Sequence, residues 1–136
     1  GGSERVENTA LMADGLVRSW TRLAEAGIPV MPIRSTPRIG VDVPDCVSAN
    51  PEALETCGRA RSEAIVEPGP IALASARLEK THAVDMSDLI CTETDCPPVV
   101  GNVLVYRDVH HLTATYVRTV APALEAAIDQ ALEEGR

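Results

Sequence analysis

Three observations predict an α/β domain with an open sheet. Periodic segments alternate along the chain in the order helix, strand, helix, strand, strand, helix. The apolar residues are almost all Val, Leu, Ile, Ala and Met, with Trp20, Tyr106 and Tyr116 the sole aromatics and no Phe, a composition that suits helices laid on a parallel sheet. At 136 residues and 45% hydrophobic content the chain is long and apolar enough for one globular core.

Val6, Ala10, Ala13, Leu16, Val17, Trp20, Leu23 and Ala24 recur at helical spacing and Gly27 follows as a stop, so residues 4–26 are predicted as an amphipathic helix. Residues 1–3, Gly-Gly-Ser, read as a linker end or cloning remnant, and residues 4–136 as the folded portion. Residues 28–33 read as a short buried strand in which Pro29 and Pro32 cannot donate to a ladder. Pro37, Gly40, Pro44 and Asp45 punctuate residues 35–51 and predict a loop. Asn50-Pro51-Glu52 has the form of a helix start, with helix to about residue 80 and an interruption at Pro68-Gly69-Pro70. Residues 83–86 are predicted as a second strand, 91–101 as a loop and 103–106 as a third strand. The stripe Leu112, Tyr116, Val117, Val120, Ala121, Leu124, Ile128, Ala131 and Leu132 predicts a closing helix over 113–134, kinked at Pro122.

A net charge of −8 argues against nucleic acid or an anionic membrane surface as partner, since both call for a basic face. No run reaches the ~20 apolar residues of a membrane-spanning helix. The four cysteines form two local pairs, Cys46 with Cys57 and Cys91 with Cys96, each in a loop containing Pro and Asp. Two short-loop disulfides explain that grouping and imply an oxidising compartment; a zinc site and free buried thiols are the rivals, and zinc lacks both knuckle spacing and a nearby His.

Chemistry concentrates at Tyr106-Arg107-Asp108-Val109-His110-His111, where a strand gives way to a helix. An Asp at i and a His at i+3 can hydrogen-bond, so that Asp108 fixes the tautomer of His111 and stabilises its imidazolium. The plain alternative is that Asp108 only caps a helix and His111 is an ordinary surface side chain. His111 is preferred to His110 because it alone completes the three-residue interval. His82 reads as structural, and Asp85 and Asp88 as caps or surface carboxylates; no metal or cofactor is indicated.

Cys96-Pro97-Pro98-Val99-Val100-Gly101-Asn102-Val103-Leu104-Val105-Tyr106-Arg107-Asp108, followed by His111-Leu112-Thr113, resembles the C-terminal end of the SGNH-hydrolase-like domain fused to membrane acyltransferases of the acyltransferase-3 family. The resemblance extends upstream through Gly27-Ile28-Pro29-Val30 and Thr36-Pro37-Arg38 to Asp45-Cys46. It implies an open three-layer α/β/α sheet of flavodoxin-like, SGNH-hydrolase-like type, here incomplete at its N-terminus. It further implies a domain on the extracytoplasmic side of a bacterial cell membrane, tethered to a transmembrane acyltransferase domain. The implied activity is O-acyl transfer to, or ester hydrolysis on, cell-surface glycans or related acceptors. In that chemistry a serine of a Gly-Asp-Ser block attacks the ester, with Asp108 as orienter and His111 as base.

The departures matter. No Gly-Asp-Ser occurs, and Ser19, Ser35, Ser48, Ser62, Ser75 and Ser87 lie in no comparable turn. The chain therefore reads as the C-terminal portion of the domain, inactive alone, with an N-terminal half or a second copy expected to complete the sheet. Gly101 and Asn102 fit the Cys-Pro-Pro-x-x-Gly-Asn signature better than an oxyanion role. The Thr36-Pro37-Arg38 loop is expected to shape an acceptor pocket. A non-catalytic glycan-binding or interaction module on the same half-fold is the competing reading.

Overall fold

The computed structural model describes residues 2–134; Gly1 of the expected linker and residues 135–136 lie outside them. Helix α1 spans Gly2–Glu25, with Gly2 and Ser3 in its first turn. It ends at Gly27, whose φ of 75° is the left-handed conformation glycine adopts without a Cβ clash. Helix α5, Ala114–Glu134, closes the chain with Pro122 inside it. These two long periodic segments form as the sequence predicts.

Between them the structure departs from the expected open sheet. Residues 28–33 form no strand; Ile33 makes a single parallel bridge to Val84, the remnant of the first two predicted strands. The Val84 N–H donates to the Pro32 carbonyl (2.8 Å) and its carbonyl accepts from the Arg34 N–H (2.9 Å). Pro32 is compatible with that bridge because only its carbonyl is used, and a ladder continuing past it would need the N–H that Pro29 and Pro32 lack. The third predicted strand is shortened to β4, Val103–Leu104, paired antiparallel with β3, Val99–Val100. Gly101 and Asn102 form the two-residue turn between them, with φ of 55° and 62°. Two successive positive φ values match the right-handed twist of a hairpin, which is why Gly and Asn stand there. A second small sheet pairs β1, Arg59–Ala60, antiparallel with β2, Asp95–Cys96. Among the described residues, then, the strands make two small antiparallel sheets and not an open three-layer one.

The predicted loop at 35–51 contains helix α2, Val43–Ala49. Asp42 caps it by accepting from the Asp45 N–H (3.1 Å), and Pro44 sits in its first turn, where the missing N–H has no intrahelical partner to lose. The helix predicted from Asn50 is instead a turn and a 3₁₀ turn at Leu54–Cys57, followed by short helices α3, Arg61–Ala64, and α4, Pro70–Ser75. The break at Pro68-Gly69-Pro70 stands as predicted.

The residues group into two compact units, one from residues within 1–34, 68–85 and 126–136, the other from 35–67 and 86–125. In the first, α1 packs on α4, and Arg77 pairs with Asp14. The second has a contiguous core of Ile39, Val43, Ala64, Ile65, Ile90, Cys91, Cys96, Val105, Tyr106 and Tyr116. Both disulfides lie in this second unit: Cys46–Cys57 (Cα–Cα 5.7 Å) and Cys91–Cys96 (4.1 Å).

Candidate functional site: the Asp108–His111 turn

Tyr106 and Leu112 form an antiparallel bridge that closes the intervening residues into a tight turn, and the Arg107 N–H donates to the His111 carbonyl (2.8 Å) across it. Tyr106 anchors one side by being fully buried. Thr113 anchors the other: its Oγ1 donates to the Leu104 carbonyl (2.6 Å) and accepts from the Tyr116 N–H (3.1 Å), tying the end of β4 to the first turn of α5. Tyr116 donates its hydroxyl to the Leu89 carbonyl, which fixes that end of α5 on the core.

Within the turn, Asp108 does two things with its two oxygens. Oδ1 accepts the backbone N–H groups of His110 (2.9 Å) and His111 (2.8 Å), while Oδ2 lies 2.7 Å from His111 Nδ1. The His110 N–H first and then the His111 N–H hold the carboxyl well below the usual carboxylate range; desolvation opposes them, and the His111 side chain adds a lesser lowering. An ionised carboxylate can only accept, so His111 Nδ1 carries the hydrogen of this contact, and in the neutral ring that tautomer leaves the lone pair on Nε2. Asp108 caps no helix, since α5 begins at Ala114 and Thr113 accepts from the Tyr116 N–H; Asp108 Oδ1 instead closes the turn while Oδ2 makes the contact to His111.

His110 takes a different place. Its ring lies 4.0 Å from that of His111, centroid to centroid, at 36°. Its Nδ1 is 3.9 Å from Asp108 Oδ1, beyond hydrogen-bond distance, and is buried with no hydrogen-bond partner among the described residues. Arg107 Nε stands 4.0 Å from Asp108 Oδ2 on a largely exposed side chain.

The Thr36-Pro37-Arg38 loop adjoins this turn through its backbone. Thr36 Oγ1 donates to the His110 carbonyl (2.7 Å), the Ile39 N–H to the Val109 carbonyl (2.8 Å), and Pro37 is fully buried. Sequence reasoning gave that loop a place near the acceptor and missed its role as a brace; Thr36 and His110 are 74 residues apart, and no local pattern signals the contact. The remaining flagged acids form ion pairs, Asp85 with Arg34 (2.8 Å) and Asp88 with Arg61 (2.7 Å), while His82 is exposed in the other unit. Gly101 and Asn102 are occupied as hairpin residues. Donor atoms of Asp108, His110 and His111 all lie within 4.8 Å of one another, a grouping the sequence reading did not anticipate as metal-competent.

Neither a curated protein nor a solved structure matches the chain. The family model described as "SGNH domain (fused to AT3 domains)" matches residues 2–126, a span that includes α1, the disulfide-bearing unit and the Asp108–His111 turn. The chain belongs to the family of SGNH domains fused to AT3 domains.

Proposed function

We propose that the chain supplies the acid–base half of a Ser-His-Asp acyl-transfer site, with Asp108 as orienter and His111 as general base. The observation that carries this reading is the 2.7 Å contact from His111 Nδ1 to Asp108 Oδ2, made by a carboxylate whose other oxygen is already fixed by two backbone N–H groups. A carboxylate held in that way cannot rotate off the imidazole without breaking both backbone bonds, so ring orientation and tautomer are set before substrate arrives.

The chemistry follows. A serine hydroxyl delivered to His111 Nε2 gives its proton to the ring as its oxygen attacks an ester carbonyl. The imidazolium, stabilised by Asp108, returns that proton to the departing alcohol, leaving an acyl-serine. A hydroxyl of the acceptor, or water, repeats the sequence in reverse roles and releases the acylated acceptor or free acid. Asp108 stays ionised throughout.

Family membership makes the chain a module related to acyltransferases and esterases, with a transmembrane AT3 region in the parent protein. From this we read an extracytoplasmic domain acting on cell-surface glycans or related acceptors. The two disulfides fit an oxidising compartment. No helix among the described residues is long and apolar enough to cross a membrane.

The test is His111→Ala in the AT3-fused parent, assayed for acyl transfer and for hydrolysis of an activated acetyl ester. Loss of about three decades or more in kcat, the scale of triad members, is expected. Near-normal turnover would remove His111 from the mechanism, and saturable glycan binding by this chain without turnover in the parent would favour the binding-module reading.

A further inference from the structure

The hydrogen bonds described for the turn leave a buried ring nitrogen unused. His110 Nδ1 is buried without a partner, a placement that costs free energy unless something occupies its lone pair. It lies on the Oδ1 side of the carboxylate whose Oδ2 meets His111 Nδ1, so two imidazole nitrogens and one carboxylate gather within 4.8 Å of one another. We propose that this turn binds a divalent transition cation, zinc foremost, through Nδ1 of His110, Nδ1 of His111 and the Asp108 carboxylate.

Donor chemistry selects the class of ion. Two imidazoles and a carboxylate with open positions for water form a zinc donor set, whereas magnesium and calcium prefer oxygen throughout. The three donor atoms already lie within 4.8 Å of one another. With zinc–ligand distances of about 2.0–2.1 Å, two ligand atoms on a tetrahedral ion lie roughly 3.3 Å apart. His111 Nδ1 stands 2.7 Å from Asp108 Oδ2 and His110 Nδ1 3.9 Å from Oδ1, so the two rings must shift to bring both nitrogens around one ion beside the carboxylate. Torsions of the two imidazoles supply that shift while Asp108 Oδ1 keeps its two backbone hydrogen bonds. Arg107 opposes the ion electrostatically, but its side chain is mostly exposed and can turn into solvent.

Zinc on His111 Nδ1 takes the position of the hydrogen given to Asp108. That hydrogen relocates through solvent to Nε2, so the ring remains neutral and no proton is gained or lost overall. The lone pair that a general base needs is then gone, and the bound ion acts as an off-switch for the dyad. This consequence alone rests on the reading of His111 as base; the binding does not.

The test is a calorimetric titration of the chelator-stripped chain with zinc chloride, with imidazole ¹⁵N spectra taken alongside. One equivalent should bind, and the His111 Nε2 resonance should move from the bare-nitrogen to the protonated position. His110→Ala and His111→Ala should each weaken zinc binding by at least about tenfold, since loss of even an outer-shell partner does as much. His82→Ala should bind as the parent sequence does, and millimolar magnesium should not displace the zinc. Melting curves of the metal-free variants establish that each is folded, and His110→Ala keeps the test sharp if His111→Ala is not. Absence of saturable binding, or unchanged affinity in both His110→Ala and His111→Ala, would overturn the site. Zinc binding that follows this pattern in a protein whose His111→Ala parent keeps full turnover would leave the metal site standing and remove only the catalytic reading.

Discussion

The two units of the chain reach order by different means. In the unit that holds Asp108 and His111, ten buried side chains from Ile39 to Tyr116 form one core, and two disulfides cross-link the segments around it. In the other, the buried described residues are Ala13, Pro32, Ala74 and Val84, while Val6, Leu11 and Met12 on α1 are each more than half exposed. The difference teaches where rigidity is needed. An Asp–His pair held at 2.7 Å tolerates little slack, and the unit bearing it is the one pinned by covalent bonds, a shared core and a brace from Thr36.

The contrast breaks most visibly in the cores. Tyr106 is fully buried beside the turn, so Tyr106→Ala should cost about 3–5 kcal/mol in unfolding free energy, the range for emptying an aromatic core position. Val6→Ala, at a side chain 70% exposed, should stay within about 0.5 kcal/mol. Chemical denaturation of both variants measures the gap. Equal losses would mean that the exposed face of α1 is as strongly packed in solution as the core around Tyr106.

Covalent cross-linking is the second difference. Cys46–Cys57 and Cys91–Cys96 close loops of sequence separation 11 and 5, and loops so short restrict the unfolded chain by about 2–3 kcal/mol each. Paired replacement of Cys91 and Cys96 by Ser should lower the denaturation midpoint accordingly. A change below about 0.5 kcal/mol would show that the hydrogen bonds of Thr92 to Asp95 hold that loop without the bond.

How much of this was legible beforehand depends on the range of the interaction. Helices α1 and α5 were readable because their apolar spacing is local and long. The Asp108–His111 pair was readable for the same reason, being three residues apart in one turn. The open sheet was not, because short apolar runs such as 28–33 and 83–86 show what is apolar without showing how many partners each strand finds; here each keeps one bridge. Helix α2 was obscured by Pro44, read as a breaker where it is a first-turn residue, although Asp42 ahead of it was a usable cap signal. Val99-Val100-Gly101-Asn102-Val103-Leu104 carried a hairpin signature, two apolar pairs around Gly-Asn, that was absorbed into a loop and a strand. His110 Nδ1 and the Thr36 brace had no signature, since both depend on segments brought together only by folding.

The finest difference lies inside the well-ordered unit. Tyr116 and Tyr106 are both buried tyrosines beside the turn, yet Tyr116 donates its hydroxyl to the Leu89 carbonyl while the Tyr106 hydroxyl has no partner among the described residues. Burial first, and Tyr116 second, push the Tyr106 phenol far above its ordinary value, so it remains neutral at any pH the fold survives. A buried donor with no acceptor costs about 1–3 kcal/mol relative to an apolar group of the same shape. Tyr106→Phe should therefore leave stability unchanged or raise it by up to about 1 kcal/mol, even as Tyr106→Ala collapses the same site. Denaturation of the Phe variant separates the ring's packing from its hydroxyl. A loss exceeding about 1 kcal/mol would mean that the hydroxyl is satisfied by a buried water, and that the floor of the Asp108–His111 turn is held by a polar contact as well as by the core.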